Sequence, residues 1–429
     1  MNKCSRFFVL LVLALALCIC NGCKPEAPPP GGKIRLSFGY FAEREIVPVV
    51  EEIVSRFRAE NPDIEVETQT APYAAFYEKL RIQLPAGDAP DLWISDGALV
   101  FEFAAHGAIR DVTDWARRDL NFDDYYCMDA VTDHTGKVWA IPQSFQSFAL
   151  MYNKGLFDEA NVPYPMDDWT WQDALEAAKA LTKDRNGDGR IDQFGIDGHG
   201  FPQILVRASG GRVIDPATRK SLVASPETIR GYQFFVDMYR KYRVTPTPEA
   251  STTYGGPLEL FARGDLAMFV GLYYWVKLLE KRSPALEVEL ALPPKIVSRG
   301  VYFVPNCFVI TKSSPIERQE AAWKFILFFS RHENQKLYGE EGEGLPFLKK
   351  AAADLIEEHS GRPKRLDVFL QVMRDSVWIE VNPVFNECQN RWLNEMARAA
   401  MGEESVEEAS RRADTQVQDI LDRMDVNLY

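Results

Sequence analysis

The chain has 429 residues, too many for one compact core, so two or three domains are expected. Hydrophobic residues at 46% and charged residues at 26% exclude a disordered or fibrous chain. The 62 acidic against 49 basic residues give a formal charge of −13, which argues against nucleic-acid binding through a basic stripe.

Met1 to Arg6 carries Lys3 and Arg6 and no acid, and Phe7 to Cys20 is then an unbroken apolar run. As a helix that run rises only about 21 Å, short of a hydrocarbon core of about 30 Å. A basic start, a short apolar core and small residues after it make residues 1–22 a secretory signal. Cys20-Asn21-Gly22-Cys23 resembles the lipobox of bacterial lipoproteins, which implies lipidation of Cys23 as the mature N-terminus. Plain secretion with cleavage nearby is the alternative. Residues 23–32, with three prolines and two glycines in succession, suit a tether and neither helix nor sheet. The expected location is extracytoplasmic, periplasmic or at the cell surface, held to the membrane by the lipid. Cys127, Cys307 and Cys388 remain in the body; their spacing matches no zinc pattern, and three buried thiols are preferred to a disulfide.

Ile34 to Tyr40 alternates as a strand, and Ile46 to Arg58 has apolar residues at helical spacing. Ile64 to Thr68 is a second strand, Tyr73 to Leu84 an amphipathic helix, and Leu92 to Ser95 a third strand. Strand–helix–strand order of this kind predicts parallel units with right-handed crossovers, which place ligands beyond the carboxyl ends of the strands. The loops at 40–44 and 95–98 are therefore site candidates. Further strands are expected at 138–142, 148–152 and 266–270, and helices at 171–182, 225–243, 258–261 and 321–330. From Pro363 onward the pattern is almost wholly helical.

Six segments in order resemble one family. They are Phe57 to Glu67 (FRAENPDIEVE), Tyr77 to Leu92 (YEKLRIQLPAGDAPDL), Met151 to Phe157 (MYNKGLF) with Thr170 to Thr182, Phe261 to Gly271 (FARGDLAMFVG), Ala321 to Phe329, and Gly344-Leu345-Pro346. The chain resembles the extracellular solute-binding proteins of ABC importers, family 1, in the maltose-binding and glycerol-phosphate-binding branch. The resemblance implies an α/β, two-lobed, type II periplasmic-binding-protein-like fold, each lobe a mostly parallel sheet flanked by helices, with a ligand cleft at the hinge. It places residues 33–143 and 302–345 in the first lobe and 144–301 and 346–429 in the second. It implies a monomer that binds a sugar or oligosaccharide and hands it to the transmembrane permease subunits.

Sugars need flat rings to stack on and planar polar groups to hydrogen-bond. Tyr273 and Trp275 follow the Gly271 that ends a buried strand, where the family resemblance implies stacking aromatics; packing in the next helix is the other reading. Asp96 either accepts vicinal hydroxyls or caps a helix that begins at Gly97. Tyr40, Phe41 and Glu43 fill the loop after the first strand, and Gln143 and Phe145 sit at the expected crossover. His199 and Phe201 lie in a glycine-rich segment that resembles the one before the family's Gly-Gly turn.

Asp184 to Asp192 (DRNGDGRID) places Asp184, Asn186, Asp188, the Arg190 carbonyl and Asp192 as in an oxygen-rich calcium loop, but Gly195 stands where a bidentate Glu would complete it. A structural Ca2+ is the one ion suggested, and no cofactor is required. An enzyme is the main rival: no H-E-x-x-H, G-x-S-x-G or Walker loop is present, though paired carboxylates of a glycosidase stay open. A lipoprotein adhesin is a third reading. Among ligands, glycerol phosphate is the runner-up to sugar and a cation such as a polyamine comes next.

Overall fold

In the first strand, β1 (Ile34–Phe41), period-two alternation turns Leu36, Phe38 and Tyr40 into the core. Phe38 packs 5.0 Å from Phe325 of helix Ile316–Phe329, and the Tyr40 hydroxyl lies 3.4 Å from Glu51 Oε1 on helix Val47–Glu60. The structure is a computed structural model and describes residues 32–126, 128–197, 202–215, 218–341, 344–359, 361–375, 377–378 and 383–423. The signal, residues 23–31 of the tether with Cys23, and Cys127, His199 and Phe201 lie outside the described residues.

After β1 come β2 (Ile64–Ala71), β3 (Leu92–Asp96), β4 (Ile141–Gln146), β5 (Phe148–Asn153) and β6 (Phe194–Asp197). The remaining strands are β7 (Leu266–Leu272), β8 (Val288–Ala291), β9 (Tyr302–Ile310), β10 (Leu345–Pro346) and β11 (Val377–Trp378). One sheet has the order β10-β4-β9-β3-β1-β2 with β11 on β9; the other has the order β6-β7-β5-β8. These sheets and their helices form the two lobes of an α/β fold. A single residue, Ser147, joins β4 of the first sheet to β5 of the second.

Parallel pairing holds for β1 with β2 and β3, as the strand–helix–strand pattern predicts. However, β9 runs antiparallel to β3 and β4, and β5 runs antiparallel to β7 and β8. The expectation of mostly parallel sheets is thus corrected to mixed ones. A strand arriving from the other lobe starts at the cleft, where β1 and β3 end, and so must run against them.

Pro305 shows how a proline sits inside the long β9. Pairing with β3 ends at Asp96↔Asn306, so Pro305 faces no β3 partner and its missing N–H costs no ladder bond on that side. The Pro90-Asp91 motif ties three segments together. The buried Asp91 carboxylate accepts from Ser37 N–H at 3.0 Å, Ser37 Oγ at 2.8 Å and Ser314 Oγ at 2.7 Å, and pairs with Arg318 at 3.1 Å.

In the second lobe Thr170 and Asp173 form a capping box on helix Trp171–Leu181, with Trp171 buried beneath it. The C-terminal helices Phe385–Met401 and Val406–Arg423 pack on helix Pro226–Arg240, where Trp392 lies 5.8 Å from Tyr232 and Tyr239 donates to the Ala400 carbonyl at 2.6 Å. Cys307 and Cys388 are free and buried. Among the described residues no helix is long and apolar enough to cross a membrane.

Candidate ligand-binding site

The ends of β1, β3, β4 and β7 and the starts of β5 and β9 meet between the two sheets, and a cavity of about 290 Å³ lies there. Phe41, Ala42, Glu43, Tyr73, Asp96, Tyr302 and Asn306 line it from the first lobe. Gln146 lines it at the crossover, and Phe148, Leu272 and Tyr274 line it from the second lobe. Neither Lys nor Arg is among these lining residues.

Asp96 caps its helix and also lines the cavity. One carboxylate oxygen accepts the Ala98 N–H at 2.8 Å and caps helix Gly97–Ala105; the other accepts the Tyr73 hydroxyl at 3.1 Å. Its own N–H donates to the Tyr77 hydroxyl at 2.6 Å. Gly97 is required for this close approach, because a Cβ there would sit 2.4 Å from Pro305 Cγ. Tyr73, which is 49% exposed, packs 5.2 Å from Phe41 and 4.8 Å from Tyr77, so a wall of rings surrounds the carboxylate.

On the facing side Phe148 packs edge-on against Tyr302 with centroids 5.0 Å apart, and the Arg207 guanidinium lies 5.6 Å over the Tyr302 ring. Burial and, less strongly, the Asp96 charge push the Tyr302 phenol up to about 12 against the pull of Arg207, so it stays a neutral hydroxyl. The Tyr274 N–H donates to Gln146 Oε1 at 3.4 Å, which couples the start of helix Tyr273–Arg282 to the end of β4. Asn306 reaches Ser144 Oγ at 3.4 Å.

Of the residues expected from sequence, Phe41, Glu43 and Asp96 line the cavity. Tyr40 does not, because alternation sends it to the core beside Phe41. Gln143 is fully buried at the register shift between Pro142 and Ser144 and accepts from Ser144 Oγ at 2.7 Å; Gln146, at the end of β4, is the glutamine that reaches the cavity. Phe145 packs among Tyr126, Phe303 and Phe347. Tyr273 is fully buried, with its hydroxyl donating to the Gly339 carbonyl at 2.7 Å and its ring 5.4 Å from Phe369. Trp275 is half-buried against Phe269 at 5.5 Å, and Tyr274 between them takes the cavity wall.

Burial pushes the Asp96 carboxyl above its ordinary value, against the Ala98 N–H and the Tyr73 hydroxyl. A carboxyl raised in the fold contributes stability that is full below its unfolded pKa and lost as pH rises through the folded one. Its ionised form is therefore a cost near neutral pH. Asp96→Asn is expected to keep or raise the melting temperature at pH 7, since Asn caps helices about as well as Asp. The same change should weaken ligand binding about tenfold or more by removing an ionised acceptor. Calorimetric titration beside thermal denaturation checks both, and unchanged affinity would mean that the carboxylate only caps.

The 184–192 loop holds itself closed. Asp184 accepts the Gly187 and Gly189 amides at 2.7 and 2.8 Å, Asn186 the Asp188 amide at 2.9 Å, Asp188 the Arg190 amide at 2.8 Å and Asp192 the Arg185 amide at 2.9 Å. Among the described residues no group of three or more His, Cys, Asp or Glu side chains is placed to hold a metal ion.

The profile of the family described as bacterial extracellular solute-binding protein matches residues 43–336. A putative binding protein of Brucella abortus is 22% identical over 381 residues, covering 86% of this chain and 89% of its own. Among solved structures, an ABC substrate-binding protein of Listeria monocytogenes in complex with cycloalternan superposes with a TM-score of 0.82 at 23% identity, covering 91% of this chain and 99% of that one. An ABC transporter solute-binding protein of Thermotoga lettingae bound with α-D-tagatose gives a TM-score of 0.79 at 22% identity, covering 91% and 100%.

Proposed function

Because this chain belongs to the bacterial extracellular solute-binding protein family, we propose that it captures an uncharged sugar or short oligosaccharide between its lobes and delivers it to the permease of an ABC importer. The observation that carries this reading is the make-up of the cavity. Rings from both lobes (Phe41, Tyr73, Phe148, Tyr274 and Tyr302) surround two carboxylates and two amides. Rings supply faces for a sugar's apolar side, and Glu43, Asp96, Gln146 and Asn306 supply acceptors and donors for its hydroxyls. A cavity of about 290 Å³ is at the small end for such sites and suits a small ligand. Two carboxylates without a lining cation disfavour glycerol phosphate; the Arg207 guanidinium, 5.6 Å over the Tyr302 ring, is not among the lining residues. The relatives that bind cycloalternan and tagatose support a carbohydrate.

On this reading Glu43 and Asp96 hold hydroxyls and do no acid–base chemistry, and the sugar leaves unaltered. The first lobe runs to Gln146 and resumes at β9, and the C-terminal helices belong to the second. Cys23 carries the lipid, residues 23–32 are the tether, and the body works as a monomer. Thermal-shift screening against neutral mono- and oligosaccharides, uronates and glycerol phosphate tests the proposal, with chromatography of the hits for product. A ligand at a hundred times its Kd adds about 2.7 kcal/mol of stability. The expected result is a shift with neutral sugars and no product. Shifts confined to anionic compounds, or turnover of an oligosaccharide, would overturn it.

We read the 184–192 loop as a turn closed by its own amides, not as a calcium site. Millimolar Ca2+ is accordingly expected to leave the melting temperature of EDTA-treated protein unchanged. A saturable rise that is lost in Asp188→Ala would instead place the ion there.

A further inference from the structure

Helix Tyr273–Arg282 springs from β7 in the second lobe, yet both of its ends are tied to the first. At its start the Tyr273 N–H meets the Ser147 carbonyl of the crossover at 3.3 Å, and the Tyr273 hydroxyl meets the Gly339 carbonyl. At its far end Arg282 Nη2 lies 2.9 Å from Glu45 Oε1, with Nε at 3.0 Å from the same oxygen. Glu45 stands two residues beyond Glu43, in the first-lobe turn that borders the cavity. Beside it Lys281 Nζ lies 3.1 Å from Glu341 Oε2, at the end of first-lobe helix His332–Glu341. Arg282 also has a second partner in its own lobe, Glu259 at 3.5 Å. None of Glu45, Glu341, Lys281 and Arg282 lines the cavity.

These positions form a lever. Nine residues at 1.5 Å each put Arg282 about 13.5 Å along the helix from the crossover. A lobe rotation of about 25° about that crossover would carry Arg282 by about 6 Å, beyond ion-pair range, while Glu259 would travel with it.

We propose that Lys281 and Arg282 are affinity-determining residues that clasp the two lobes through Glu341 and Glu45 and raise the closed fraction without touching the ligand; this rests on the reading of the protein as a closing solute receptor. Apparent affinity scales with the fraction of molecules already competent to bind. Losing the clasp therefore weakens every ligand of the site by the same factor, about threefold to tenfold for two partly exposed pairs. The clasp also weakens in salt, because its groups are within reach of counter-ions.

Small-angle scattering on the unliganded full-length protein tests the clasp without any sugar. Glu45→Arg is expected to enlarge the radius of gyration, the pair Glu45→Arg with Arg282→Glu to restore it, and about 0.5 M salt to expand the wild type toward the single variant. Glu45→Gln serves as a milder opening variant if charge reversal fails to fold. Identical profiles for wild type and both Glu45 variants, or a double variant as expanded as the single one, would overturn the proposal. Titration of any sugar hit should then show one common factor of loss across ligands in Glu45→Arg, at least about twofold, since that variant breaks one of the two pairs and sets two cations against each other. Absence of sugar binding altogether would sink the functional reading but leave the scattering result standing.

Discussion

Tyr274→Ala is expected to weaken ligand binding by roughly tenfold to a hundredfold while the folded state loses little. The ring lines the cavity from the second lobe and is half-buried, so its removal leaves no sealed void in a core. An aromatic face against a sugar contributes about 1–3 kcal/mol when water is excluded from the contact. Tyr274→Phe keeps that face and should retain most of the affinity. Calorimetric titration of the three proteins with one neutral sugar, alongside urea denaturation, checks the expectation. Equal affinities across the series would place the ring outside the contact surface.

One residue earlier the expectation reverses. Tyr273→Ala should destabilise the fold by about 3–5 kcal/mol, because it empties a fully buried aromatic site and leaves the Gly339 carbonyl without its donor. Tyr273→Phe retains the ring and should cost only about 0.5–1.5 kcal/mol, the share of the hydrogen bond. The midpoint of urea unfolding at constant slope is the readout. A Tyr273→Ala protein as stable as wild type would contradict the packing described here.

Segments with strong periodicity were legible in the amino-acid order. The strand–helix–strand–helix–strand run at the start follows from alternation and helical spacing and is observed from Ile34 to Asp96. Within the Tyr77–Leu92 segment that carries part of the family resemblance, Asp91 is a buried anchor among Ser37, Ser314 and Arg318. A motif locates a fold through such anchors and stays silent about the solute.

The cavity wall was only partly legible, for geometric reasons. Loop topology found Phe41, Glu43 and Asp96, which stand at the strand ends or just beyond them. Tyr73 follows the end of β2 and the same rule would have found it. Tyr40 against Phe41, and Tyr273 against Tyr274, differ by one position, and that step turns a side chain from cleft to core on a strand and by about 100° on a helix. Aromatic composition cannot resolve a single-residue phase. Tyr302 and Asn306 lie on β9, where Pro305 hides the strand pattern, and Gln146 ends β4 one residue before the crossover at Ser147, a boundary that composition does not mark.

The most direct measurement is a crystal structure of the protein with the neutral sugar that gives the largest thermal shift. The account predicts density in the cavity between the sheets, with a ring face on Tyr274 and vicinal hydroxyls on the Asp96 carboxylate. Density instead in the separate hollow of about 430 Å³ beside Trp171 and Lys295, or no sugar between the lobes at saturating concentration, would contradict it.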